Sequence, residues 1–156
     1  MIIDDNDKGL GFLIAETARL HRKLLDRRLQ PFGLTKAQWA VLAVLGQQDG
    51  RTQSEIAEEL EIEKPTAGRL LDHLEQGGWI ERQPTPSDRR VWRVHVLPAA
   101  LPRIAEVATV VRGTRHTMVQ GLTEEQQHLL DHQLAIVKSN ITAALGAEET
   151  GRGHDP

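Results

Sequence analysis

The chain has 156 residues, 26% of them charged and 39% apolar, which fits a soluble globular domain with or without an added association layer. Its formal net charge of -3 rules out a bulk positive field, so any attraction to nucleic acid must come from a local basic cluster. The absence of cysteine excludes disulfides, zinc–thiolate sites, thiol nucleophiles and thiol redox sensing, while 3% aromatics and no tyrosine argue against stacking on single strands.

Met1–Lys8 is a short acidic lead-in without a signal-peptide pattern, and no later apolar run approaches a membrane span. The expected location is therefore the reducing cytoplasm, away from the membrane. From Gly9 to Gln30 apolar positions recur at three and four (Leu10, Leu13, Ile14, Thr17, Leu20, Leu24, Leu25), the pattern of an amphipathic helix. Arg19, Arg22, Lys23, Arg27 and Arg28 form its solvated side, and Pro31-Phe32-Gly33 ends it. Thr35 with Gln38 forms a capping box, flanked by Leu34 and Trp39 as a hydrophobic staple. The helix from Lys36 to about Leu45 is almost entirely apolar and is expected at the buried centre. Gly46–Gly50 is expected as a loop.

Thr52 and Glu55 form a second capping box before a short helix with Ile56, Ala57 and Leu60 on one face. After a tight connection at Glu61–Lys64, Pro65 opens the next helix, where its missing N–H costs nothing. Ala67, Leu70, Leu71 and Leu74 line one side of that helix; Pro65, Arg69, Asp72 and Gln76 point away, with Thr66 and His73 on the flank. Gly77-Gly78 stops it. Two short helices across a tight turn, the second polar outside, make a helix-turn-helix. Trp79–Gln83 and Val91–Leu97 read as strands of a hairpin, the second by alternation of Trp92, Val94 and Val96 with Arg93 and His95. Turn formers fill the tip, Pro84-Thr85-Pro86-Ser87-Asp88.

Helical periodicity returns from Ala99 (Leu101, Ile104, Ala105, Ala108, Val111, Met118, Val119), with Pro102 expected to delay the helix start or kink its first turn. A third capping box, Thr123 with Gln126, opens a last helix striped by Leu130, Leu134, Val137, Ile141 and Leu145; Gly146 onward reads as a frayed tail. The expected fold is mainly α with a small β-wing (α+β): a winged helix-turn-helix domain plus a helical dimerisation layer. The expected divisions are 1–33 (N-terminal helix of that layer), 34–97 (DNA-binding domain), 98–146 (dimerisation helices) and 147–156 (flexible tail).

The residues placed outward on the second helix and at the wing are the candidate DNA contacts. Arg69 on the outer helix face suits bidentate pairing to guanine O6 and N7; the alternative is a surface arginine paired with Asp72. Thr66 and Pro65, at the first turn, either meet a phosphate, a base edge or a thymine methyl, or simply start the helix. Lys64, Gln53 and Ser54 are expected at phosphates, His73 at a phosphate or in solvent. Arg82 and Arg89 are expected at the DNA backbone, and Arg90 is the second principal contact.

The segments LTKAQWAVL, TQSEIAEEL, EKPTAGRLLDHLEQGGWIER and PTPSDRR resemble the MarR/SlyA-type transcriptional regulators, with a likeness that spans residues 10–145. The resemblance implies a homodimer of triangular outline, in which the first helix and the last two of each subunit interdigitate with the partner's. It implies recognition helices in major grooves and wings in adjacent minor grooves of a double-stranded, pseudo-palindromic operator. On that likeness Arg90 enters the minor groove and Asp88 orients it by a salt bridge. A narrow A·T-rich groove favours such an arginine. Repression relieved by a small aromatic or phenolic acid effector is also implied, with Trp39 on a helix that lines a cavity as a candidate ligand contact. The family's Leu-Thr-x-x-Gly after the wing is replaced here by Leu97-Pro98-Ala99-Ala100-Leu101-Pro102, which bears on the entry of the long helix and the spacing of the two heads.

Three other readings are weighed. An enzyme is disfavoured by the lack of a Gly-rich phosphate loop, a nucleophile motif or a strong metal set, and no cofactor is expected. A helical protein-interaction module leaves Asp88-Arg89-Arg90 unexplained. A zinc-responsive regulator finds only His128-x-x-x-His132, opposite the apolar stripe and so on a solvated face, and no metal residue is assigned.

Overall fold

The computed structural model describes residues 9–152. Its elements are helices α1 (Leu10–Leu29), α2 (Lys36–Gln47), α3 (Gln53–Glu59), α4 (Lys64–Gln76), α5 (Leu101–Met118) and α6 (Glu124–Arg152), with strands β1 (Arg51–Thr52), β2 (Ile80–Pro84) and β3 (Trp92–Val96). The chain divides into two compact units, 1–115 and 116–156.

In the first unit α2 supplies the centre of the core, as its apolar sequence predicts: Val41, Leu42 and Leu45 are buried against Leu25, Leu29, Ile56, Leu71, Leu74, Trp79, Ile80 and Val94. α2 runs two residues beyond the expected Leu45, into the segment read as a loop. All three capping boxes form. Thr35 and Thr52 each accept the N–H three residues on, and Gln38 and Glu55 reach back to the cap N–H. Thr123 and Gln126 do the same at the head of α6.

Three helical segments end by one device. Gly33, Glu61 and Gly78 each take a left-handed backbone, and the next residue's N–H returns to a carbonyl five positions back: Leu34 to Leu29, Ile62 to Ala57, Trp79 to Leu74. Two of the three are glycine, for which this conformation is free of steric cost; Glu61, at φ 52, carries it with a side chain.

The sheet is three-stranded and antiparallel, ordered β1-β3-β2, where the sequence predicts only a hairpin. Arg51 pairs with Val94 and Thr52 with Arg93. Two residues are too few to show alternation, and Thr52 is also the N-cap of α3. Pro84 fits at the end of β2 because that strand is an edge and needs no donor there. After β3 a short 3₁₀ turn, Pro98–Ala100, precedes α5, so Pro102 falls in the helix's first turn, where its ring is tolerated. Arg28 donates to the buried Thr114 hydroxyl at 3.0 Å, tying α1 to α5.

The second unit holds the end of α5, a turn through Gly121, and α6. α6 continues through Gly146 to Arg152 rather than fraying at Gly146. Residues 153–156 of the expected tail lie outside the described residues.

Candidate nucleic-acid interface

α3 and α4 form the helix-turn-helix, and the Gln53 side chain lies over Gly68 of α4. A Cβ at that position would lie 2.9 Å from Gln53 Nε2. With glycine there, the Gln53 amide crosses α4 and donates to the Lys64 carbonyl at 2.9 Å. Gln53 is thus engaged inside the motif, and its neighbour Ser54 remains exposed at the start of α3.

The outer face of α4 carries the expected residues. Lys64, Pro65, Arg69 and His73 are exposed and Thr66 is half-buried. Pro65 sits in the first turn, as its chemistry predicts. Among the described residues the Arg69 guanidinium meets only the Thr66 hydroxyl, at a marginal 3.5 Å. The Asp72 alternative is not taken up; Asp72 Oδ1 instead lies 2.6 Å from Arg82. The His73 ring lies 2.9 Å from the Arg69 carbonyl, which requires a proton on Nδ1.

Arg82 occupies the base of the wing with a side chain only 24% exposed. Beyond Asp72 it reaches Glu75 at 3.5 Å and the Gly68 carbonyl at 3.4 Å, and its own N–H donates to Glu75 at 3.0 Å. The structure therefore places Arg82 in a clamp between β2 and α4, apart from the exposed arginines at the tip.

The tip is shaped by short-range bonds. Thr85 N–H donates to the Val91 carbonyl at 2.8 Å, and its hydroxyl lies 2.6 Å from the Asp88 carbonyl. Asp88 accepts from the Arg90 backbone at 3.0 Å and from its guanidinium at 3.1 and 3.3 Å. That guanidinium, followed by the Arg90 N–H, holds the Asp88 carboxyl below the usual carboxylate range. Arg90 nevertheless stays 91% exposed, so it is oriented without being covered. Arg89 is exposed beside it.

Several fixing residues escaped the sequence reading. Asp49 receives the Val96 N–H at 2.9 Å and lies 2.8 Å from His95 Nδ1. Partial burial opposes its ionisation, yet these partners win and hold its carboxyl below the ordinary value. Arg93 donates to the Gly50 carbonyl at 2.6 Å, and Arg51 pairs with Glu59 at 2.9 Å. At the far end of α4, Arg103 stacks 3.8 Å over the buried Trp79 ring. No short-range signal marks these pairs, most of which join residues far apart in sequence.

Trp39 packs half-buried against the core. An open concavity of about 450 Å³ lies nearby along the chain, lined by Asp26, Arg27, Gln30, Gly33, Leu34, Thr35 and Gln38; Trp39 is not in that lining. His128 and His132 are exposed on α6, and no group of three metal-capable side chains occurs among the described residues. No helix there is long and apolar enough to cross a membrane.

A helix-turn-helix whose second helix is braced to a three-stranded wing defines a winged-helix protein. The MarR family model matches residues 32–91, the stretch from the end of α1 to the wing tip. A solved transcriptional regulator, PA3341, is 36% identical, with 85% of this chain and 98% of that one covered and a TM-score of 0.72. The repressor CouR, bound to a 23-mer DNA duplex, is 26% identical over 88% of this chain and 98% of its own, with a TM-score of 0.79. A mutant MarR from E. coli, complexed with operator DNA, is 25% identical over 88% of this chain and 99% of its own, with a TM-score of 0.77. The chain belongs to the MarR family of winged-helix transcriptional regulators.

Proposed function

We propose that this protein is a homodimeric, sequence-specific regulator that binds double-stranded DNA at a pseudo-palindromic operator, acts as a repressor, and is released by a small aromatic or phenolic acid. The observation that carries the reading is the pair of outward guanidiniums, Arg69 on α4 and Arg90 on the wing, where among the described residues no acid covers the first and one acid aims the second. In this reading Arg69 pairs with a guanine edge in the major groove and Arg90 enters the neighbouring minor groove. Thr66 and Pro65 meet the groove floor or wall; Lys64, Ser54, His73 and Arg89 meet phosphates. Gln53 and Arg82 support these contacts from within the fold.

The DNA-bound relatives support duplex DNA as the partner. A second copy is supported by apolar side chains left open on α1 (Leu10, Phe12, Leu13, Leu20) and on α6 (Leu129, Leu130, Leu134, Ile136, Ile141, Leu145). For the effector, the structure offers an open concavity whose lining pairs the Arg27 cation with the Asp26 carboxylate, and an acid would have to meet the first and avoid the second. The test is selection of bound fragments from source genomic DNA, with and without phenolic acids. Enriched inverted repeats with half-sites one helical turn or a multiple apart support the reading. Fragments retained without any shared sequence contradict it.

A further inference from the structure

We infer that Arg82 is a positioning residue for base recognition: by occupying Asp72 and Glu75 it keeps Arg69 free to meet DNA. The inference rests on the DNA-binding reading and goes beyond it in assigning why Arg69 is available. Asp72 stands three positions after Arg69, a spacing at which side chains on a helix touch and opposite charges pair. Left alone, the carboxylate would draw the guanidinium down onto the helix. Instead the Asp72 oxygen lies 2.6 Å from Arg82, while among the described residues Arg69 keeps only the marginal Thr66 contact. The Arg82 fork also takes Glu75 at 3.5 Å and the Gly68 carbonyl at 3.4 Å. A planar guanidinium can serve these three acceptors at once; a single ammonium cannot. The clamp sits where β2 meets α4, so one side chain both joins the wing to the recognition helix and removes the competing acid.

The test compares full-length Arg82→Gln, Arg82→Lys and the double variant Arg82→Gln/Asp72→Asn with the parent. Each is assayed on its preferred duplex and on a duplex altered at the base pair that Arg69→Ala identifies. The parent should discriminate about tenfold between the two duplexes, as expected for one bidentate contact. Arg82→Gln should lose about twofold of that discrimination, as expected for an exposed pair at that spacing, Arg82→Lys less, and the double variant should regain it. The dependence of affinity on salt should be unchanged throughout. Discrimination retained in Arg82→Gln, or not regained in the double variant, would overturn the inference. So would a uniform loss on both duplexes with a salt slope smaller by about one, the mark of a phosphate contact. If Arg82→Gln does not fold, Arg82→Lys carries the comparison: reduced discrimination at unchanged salt slope supports the inference, parental discrimination overturns it. Thermal melting of Arg82→Gln, of Asp72→Asn and of the double variant, at fixed concentration and without DNA, reads the ion pair separately. Additive losses would sink the clamp, whereas a parent that ignores DNA sequence would sink the functional reading instead.

Discussion

Arg69 and Arg90 bear the same cation but are prepared differently. Arg69 is left loose on a helix face, with conformational freedom that is lost on contact, whereas the Asp88 fork already fixes Arg90. In the proposed complex, replacing Arg90 with alanine weakens binding most on operators with A·T-rich flanks, by about 1 kcal/mol or more relative to G·C-rich flanks. Competition binding on two operators that differ only in their flanks measures this; an equal loss on both removes Arg90 from the minor groove. Arg69 was legible in the sequence because helical period places it, and the Asp88–Arg90 pair was legible through the likeness of PTPSDRR to the family's wing. Gln53 and Arg82 were not. Periodicity tells which face a side chain occupies, but not that its acceptor stands across a turn, at Lys64 or at Asp72.

The elements are held by caps and edges that the chain advertises unevenly. Three capping boxes were readable from Thr-x-x-Gln/Glu spacing, and each forms. The helix ends at Gly33 and Gly78 were readable from glycine, while Glu61 hid the same turn behind a side chain. Changing Glu61 to glycine relieves the left-handed cost and should raise stability by up to about 1 kcal/mol, part of the relief being offset by the freer unfolded chain. Denaturant unfolding measures it, and a loss of stability would show that Glu61 makes a compensating contact. β1 stayed hidden for lack of length, and so did Asp49, which secures the loop before β1 to the end of β3. Because the Asp49 carboxyl is depressed in the folded chain, its contribution is present above the unfolded value of about 3.9 and is lost as pH falls through the lower folded value. Between about pH 5 and pH 2 the melting temperature of Asp49→Asn should fall less steeply than the parent's; parallel curves would contradict the assigned bonds.

At the scale of the molecule, the first unit is closed by its own core, but α1 and α6 present large apolar side chains to solvent; Phe12 is 64% exposed. In the proposed homodimer a second copy covers them, and light scattering should return twice the 17.4 kDa chain mass at micromolar concentration. A monomer at that concentration would leave no second head to read a repeat. Whether two heads then read the duplex through Arg69 is decided by changing one DNA atom. The measurement is the affinity of the parent and of Arg69→Ala for the selected operator, with each guanine of a half-site replaced in turn by 7-deazaguanine, which lacks the N7 acceptor in the major groove. At one guanine per half-site the parent should lose about tenfold in affinity while Arg69→Ala loses nothing further. If every replacement costs the two proteins the same, Arg69 does not read the major groove.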